Sequence, residues 1–347
     1  MVTPIDIKGK TLGFIDSRIG GRKENQDSAG IKDTQLGYLV VVCDGMGGMQ
    51  GGSTASQLAV KTILETVSSA DKQSNPSMTL IKAIRNANMA IIQEGQNNPE
   101  LQGMGTTVTA LLITPQSVIT AHVGDSRIYQ LRNGKKVFRT FDDSMVFEMV
   151  KKKVISEEQA RLSAQSNVIL KALGINPDIE VTTAERPYIK GDIFILCTDG
   201  FWGAMPEEDF IRHLSEKKPI NQILESTANV IESIGRSSGN EYDNLTAAII
   251  EMNNNSILKE KMNKTSKIII AVLSILLTVS IAFNINFLIS NNQSNNKQST
   301  EQSTITEGGN TGTTTEATPT ASEDPTTKDT PNTDVSANQN NNTQPEK

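Results

Sequence analysis

Four aspartates stand where an apolar run begins or ends. "YLVVVCDG" runs into Asp44, "VITAHVGDSR" into Asp125 and "DIFILCTDG" into Asp199, while in "EYDNLTAAII" Asp243 closely precedes the run. A glycine adjoins three of the four: Gly45, Gly124 and Gly200. Taken singly, each acid reads as a turn, because Asp and Gly favour turns for separate steric and hydrogen-bonding reasons. Taken together they say more. Strands that share a sheet and all end in carboxylates gather those carboxylates at one place. Like charges at close range repel, and burial worsens the repulsion. A hard divalent cation resolves it, and carboxylate and carbonyl oxygens are the ligands Mg²⁺ and Mn²⁺ prefer. Zinc is disfavoured, because no Cys/His cluster accompanies the acids. Upstream, "RIGGRKENQD" adds Arg22 and Asp27. A guanidinium suits a bidentate grip on phosphate, and a lone Arg is otherwise an ordinary solvated charge.

Those acids need strands to carry them. Apolar patterning predicts strands near 11–16, 27–33, 38–43, 106–113, 117–123, 179–186, 192–198 and 245–251, with a tight hairpin at Asn133-Gly134. Helical spacing predicts helices over about 54–68, through Leu58, Ala59, Ile63, Leu64 and Val67, and about 77–97, through Leu80, Ile84, Ala87 and Ile91. Two short helices are expected within 144–163, and two more at 206–214 and 219–234. Strands come in runs and helices in pairs, unlike the strict alternation of a parallel sheet. The expected class is α+β, with antiparallel sheets and helices stacked outside them.

Composition divides the chain further. Residues 1–252 form the folded domain and 253–267 a basic linker. Residues 268–289 are apolar apart from Ser, Thr and two Asn. As a helix they would extend about 33 Å, enough to cross a bilayer core of about 30 Å. Residues 290–347 form a polar tail without aromatics, holding three lysines against eight acids. A tail of that composition is expected to be disordered. Lys259, Lys261, Lys264 and Lys267 precede the apolar stretch, and positive residues stay cytosolic. The expectation is therefore a single-pass membrane protein with its large domain in the cytoplasm and its tail outside. The opening residues have no apolar segment of the kind a cleaved signal requires. The net charge of −6 argues against a general attraction to nucleic acid. Cys43 and Cys197 lie in apolar runs and read as buried thiols in a reducing compartment. His122 reads as a packed core residue, His213 as a helix-surface one, and Trp202 as a core or loop anchor.

The motifs "RKENQD" (22–27), "VVCDGMGG" (41–48), "GMGTT" (103–107), "HVGDSRIY" (122–129), "NVILKALG" (167–174), "DIFILCTDGFW" (192–202) and "YDNLTAAII" (242–250) occur in one order over about residues 10–251. In this the chain resembles the metal-dependent serine/threonine protein phosphatases of type 2C in their bacterial form. The resemblance implies a four-layer α-β-β-α sandwich of two antiparallel sheets flanked by helix pairs. It implies two Mn²⁺ or Mg²⁺ ions and a weaker third. Asp44 would bridge two metals, with the Gly45 carbonyl on one of them and Asp199 and Asp243 completing the other. Asp125 would join Asp199 at the third. Arg22 would hold the substrate phosphate, and Asp27 would support metal-bound waters. Arg22, Asp44 and Asp199 are thus the expected catalytic residues, and the implied partners are phosphorylated proteins, including an opposing serine/threonine kinase. Three positions depart from the family pattern: Met46 where many relatives have His, Ser53 where Glu is common, and Asp142-Asp143-Ser144 where Asp-His-Ser is common. A low-turnover phosphoprotein-binding scaffold and a small-phosphoester hydrolase are the competing functional classes.

Overall fold

The structure, a computed structural model, describes residues 2–7, 10–239, 242–257, 273 and 275–286. The chain falls into two units, residues 1–262 and 263–347. In the first unit, strands β1 (Thr3–Ile7), β2 (Lys10–Arg18), β3 (Ser28–Asp33), β4 (Tyr38–Cys43) and β5 (Gly45–Met46) lead into helices α1 (Gly48–Ser68) and α2 (Pro76–Asn97). Strands β6 (Gly105–Thr106), β7 (Val108–Ile113), β8 (Val118–Val123), β9 (Arg127–Arg132) and β10 (Lys135–Arg139) follow. Then come α3 (Met145–Lys151), α4 (Glu157–Arg161), β11 (Thr182–Arg186), β12 (Ile193–Cys197), α5 (Asp199–Trp202), α6 (Glu207–Leu214), α7 (Ile220–Ser237) and β13 (Leu245–Glu251).

Two antiparallel sheets result. One has the order β1-β2-β13-β12-β9-β10, the other β11-β8-β7-β4-β3, and β5 pairs with β6 as a short ribbon. Alternation along β4 shows how the layers stack. Leu39, Val41 and Cys43 pack with Ala55, Ala59, Ile63 and Val67 of α1 and Leu80, Ile84 and Ile91 of α2. Val40 and Val42 point the other way and meet Phe194, Leu196, Ala248 and Ile250 of the opposite sheet. The reverse face of that sheet, with Tyr129, Ile195, Cys197, Ala247 and Ile249, is covered by Phe210 and Leu214 of α6 and Ile223, Leu224 and Ile231 of α7. The expected four-layer arrangement is therefore present. It explains why "YLVVVC" is apolar without interruption: a strand between two packed layers buries both of its faces, and each fully buried Val or Leu contributes about 1.5–3 kcal/mol.

Sequence patterning missed the shortest elements. The two-residue β5 and β6 and the four-residue α5 are too brief to show a period, and β1 was not foreseen. Helix α1 begins at Gly48, six residues before the expected start. Glycine is the poorest helix former after proline, so "GMQGG" conceals the first turns; close backbone packing decides them instead.

Of the expected membrane span over 268–289, residues 268–272, 274 and 287–289 lie outside the described residues, as do most of the basic linker and the entire tail 290–347. Among the described residues, no helix is long and apolar enough to cross a membrane. Residues 275–286 are helical, with Leu276, Leu277, Val279, Ile281 and Phe283 exposed.

Candidate active site

The antiparallel registers bring the four acids to one end of the sandwich. Asp44 follows β4, Asp125 lies in the turn from β8 to β9, Asp199 opens α5 directly after β12, and Asp243 precedes β13. Asp27 immediately precedes β3. Asp44 is anchored through its backbone. Its N–H donates to Thr107 Oγ1 (3.0 Å), and its carbonyl accepts from Thr107 N (2.8 Å) and Thr106 Oγ1 (2.7 Å). The Asp44 and Asp199 carboxyls lie close enough to shift one another's pKa, and the Gly200 backbone favours the charged form of Asp199. Thr198 Oγ1 donates to Asp27 Oδ2 (3.0 Å). The glycines after Asp44 serve a steric purpose. A Cβ on Gly45 would lie 2.1 Å from the Gly52 carbonyl oxygen and 2.6 Å from that of Gln26, so the first turns of α1 can approach the site only across bare backbone.

Burial raises the carboxyl pKa of every acid in the inner group. Asp44 is raised by burial and then by the charges of Asp27, Asp199 and Asp125. Asp125 is raised by burial and by Asp199 and Asp142. Asp199 is raised by burial and by Asp243. Asp27 is pushed up to about 7, chiefly by burial, although hydrogen bonds from Thr246 and Thr198 oppose this. Among the described residues no three acidic, His or Cys side chains close on a single point as a finished ion cage. The acids interact pairwise, and three oxygens are left over: Asp27 Oδ1, Asp125 Oδ1 and Asp199 Oδ1 are buried without a hydrogen-bond partner. Hard carboxyl oxygens held unpaired in a low-dielectric setting fit a divalent cation such as Mn²⁺ or Mg²⁺. The residues present therefore fit the metals that the sequence implied.

Arg22 stands at the rim, well exposed, with Nη2 2.7 Å from Asp243 Oδ2. A groove of about 360 Å³ runs from it past Asp125, Asp199 and Asp243, with Arg161, Ser166 and Asn167 along another wall. Those three residues were not singled out from the sequence, where nothing marks a lone Arg far from the acids. Asn244 was also passed over, though it sits beside Asp243 and its side chain bonds to the loop that bears Arg22.

The departures from the family pattern resolve individually. Asp142 accepts both Nε and Nη2 of Arg127 (2.8 Å each), so it is an ion-pair partner and not a free acid. Asp143 Oδ2 accepts from Gly124 N, next to Asp125. Met46 lies in the β5 ribbon, and Ser53 Oγ accepts from Gln57 Nε2. Trp202 is an anchor, as expected: its Nε1 donates to the Asp125 carbonyl (3.0 Å), and its ring carries the Arg127 guanidinium at 3.2 Å. His122 is buried, with Nε2 2.8 Å from the Phe141 carbonyl, and His213 lies on α6 near Glu216. Both cysteines are buried free thiols, raised in pKa by that burial.

The chain is similar to known protein phosphatases in sequence and fold. The family profile described as "Protein phosphatase 2C" matches residues 16–238. The serine/threonine phosphatase stp of Listeria innocua is 34% identical over 242 residues, which is 67% of this chain and 92% of that protein. The crystal structure of the Mycobacterium tuberculosis serine/threonine phosphatase PstP/Ppp superposes with a TM-score of 0.61 at 29% identity, covering 69% of this chain and 97% of that one. The catalytic domain of PstP in complex with two manganese ions superposes with a TM-score of 0.56 at 28% identity, again covering 69% and 97%.

Proposed function

This chain belongs to the protein phosphatase 2C family, and on that footing we propose that it removes phosphate from phosphoserine and phosphothreonine on proteins by direct attack of water. The observation that carries this reading is the set of unpartnered buried oxygens on Asp27, Asp125 and Asp199 beside the paired carboxyls of Asp44 and Asp199. Asp44, the Gly45 carbonyl, Asp199 and Asp243 would hold two Mn²⁺ or Mg²⁺ ions, and Asp125 with Asp199 a third. When bound, such ions supply Lewis acidity that activates water and neutralises the charge of an in-line displacement at phosphorus.

The remaining work belongs to the chain. Arg22 grips the equatorial phosphate oxygens, and its pairing with Asp243 keeps the guanidinium directed at the groove until substrate arrives. Asp27 stays tethered by Thr198 through one oxygen and keeps the other buried without a partner, so it can orient water at the site. No cysteine takes part, since both thiols are buried and protonated. Hydrolysis of a phosphothreonine peptide with Mn²⁺, and its loss with chelator, tests the proposal. Binding of phosphopeptide without turnover would support a scaffold instead, and preference for small phosphoesters would shift the substrate class.

We also propose that the enzyme acts at the cytoplasmic face of a membrane, opposing a serine/threonine kinase. Support comes from the apolar run 268–289, the lysines before it, and the exposed Leu276, Leu277, Val279, Ile281 and Phe283. Protease added to intact cells should spare residues 1–252; digestion of that domain would reverse the orientation.

A further inference from the structure

Arg22 poses a problem that the acids do not. Its side chain is 57% exposed and it lies in an irregular loop between β2 and β3, yet it must meet a phosphate at a fixed place. We propose that Asn244 is the positioning residue for Arg22: its side chain fastens the Arg22 loop to the Asp243 segment and so sets where the guanidinium stands. The inference rests on the phosphatase reading above.

Asn244 is 5% exposed, and its side chain is spent on this loop. Nδ2 donates one hydrogen to the Ile19 carbonyl (2.8 Å) and the other to the Glu24 carbonyl (2.9 Å), and Oδ1 accepts from Gln26 N (2.8 Å). Those contacts bracket Arg22 on both sides in sequence. Its own backbone N–H donates to Asp243 Oδ1 (2.8 Å), whose other oxygen takes Arg22 Nη2. One residue thus joins the carrier loop and the carboxylate facing the guanidinium. The loop fits closely against the same segment: Gly21 N donates to the Tyr242 carbonyl (3.0 Å), and a Cβ on Gly20, at φ +64°, would lie 2.0 Å from the Asp243 carbonyl oxygen. An amide is the side chain that can do this. It offers two donors and an acceptor in one plane, whereas Asp would face the Ile19 and Glu24 carbonyls with like partial charge.

The test is a mutant cycle on the full chain with Mn²⁺. Asn244→Ala and Asn244→Ser should raise KM for a phosphothreonine peptide, and weaken inorganic phosphate binding by calorimetry, by about tenfold, with a smaller fall in kcat. Arg22→Ala should do the same, and the double variant should be no worse than Arg22→Ala alone, because the two changes remove one interaction. Amide exchange at Gly21 and Arg22 should quicken in the Asn244 variants, a local change that a general loss of stability would spread over the whole chain. Where Asn244→Ala does not fold, Asn244→Asp supplies the cycle, since it keeps the Gln26 contact and loses both donors. Full additivity with Arg22→Ala, or unchanged phosphate affinity in a folded Asn244 variant, overturns the proposal. Absence of turnover in the unmodified protein would instead overturn the phosphatase reading itself.

Discussion

Two of the buried charge clusters among the described residues of the catalytic unit are treated in opposite ways. Around Arg127 everything is matched. Its guanidinium donates to both oxygens of Asp142 and, through Nη1, to the Tyr129 hydroxyl oxygen (3.0 Å), and it lies against the rings of Trp202 and Phe147. Arg139 nearby reaches Glu157 and Glu207, and Glu207 also takes Lys136. Around Asp44 the acids face one another, their pKa values rise, and three oxygens have no partner. A balanced cluster joins elements; an unbalanced one waits for something from outside. The contrast separates Asp142 from Asp199, two buried aspartates that composition alone cannot distinguish.

The largest expected effect is at the unbalanced cluster. Asp44→Asn or Asp199→Asn should cut Mn²⁺-dependent hydrolysis of a phosphothreonine peptide by roughly a thousandfold, the scale of losing several kcal/mol of charge stabilisation. The same variants should fold normally under chelator, since each removes a repelling charge. Retained activity in both would erase the contrast. Metal itself should stabilise the unmodified protein by about 2.7 kcal/mol at a concentration a hundred times its Kd, measured by thermal melting, and the variants by much less.

The balanced cluster should respond in stability. Arg127→Met leaves Asp142 buried and unpaired, which should cost about 3–5 kcal/mol in urea unfolding. The Arg127→Met, Asp142→Leu pair should recover much of that, because no charge is then stranded. A double variant as weak as the single one would mean that Trp202 and Phe147, not the ion pair, carry the cluster.

The smallest effect is in pH dependence, where the two clusters should slope in opposite directions. Asp27 has a folded pKa of about 7, above its unfolded value. Its contribution to stability is therefore complete below the unfolded pKa and is lost as pH rises through about 7 in metal-free protein; Asp27→Asn should flatten that fall. Glu207 has a lowered pKa: burial raises it, but the Arg139 charge and bonds from Lys136 and Arg139 outweigh that. Its contribution is present above the unfolded pKa and is lost as pH falls below the usual carboxylate range; Glu207→Gln should flatten that loss. Chelated melts across pH would check both.

Much of this was legible in the linear chain. Apolar runs long enough to be buried on both faces, each meeting an acid, marked the strands and the ends that matter, because burial and charge conflict locally and a chain retains such conflicts for a reason. Antiparallel sheets with helices outside them also followed from runs of strands and pairs of helices, while the four-layer order was implied by the family resemblance. What the chain could not disclose depends on contacts far apart in sequence. Nothing near Asp142 predicts its pairing with Arg127, nothing near Arg161 predicts its place on the groove, and nothing in "GMQGG" predicts a helix. Asn244 stood in plain view beside Asp243, yet its role exists only because β2 and β13 are adjacent. Residue type and period express what one segment requires. Which oxygens remain unpaired, and which loop an amide fastens, are decided when distant segments meet, because hydrogen bonds and charge pairing act over a few ångströms and only the folded chain fixes those distances.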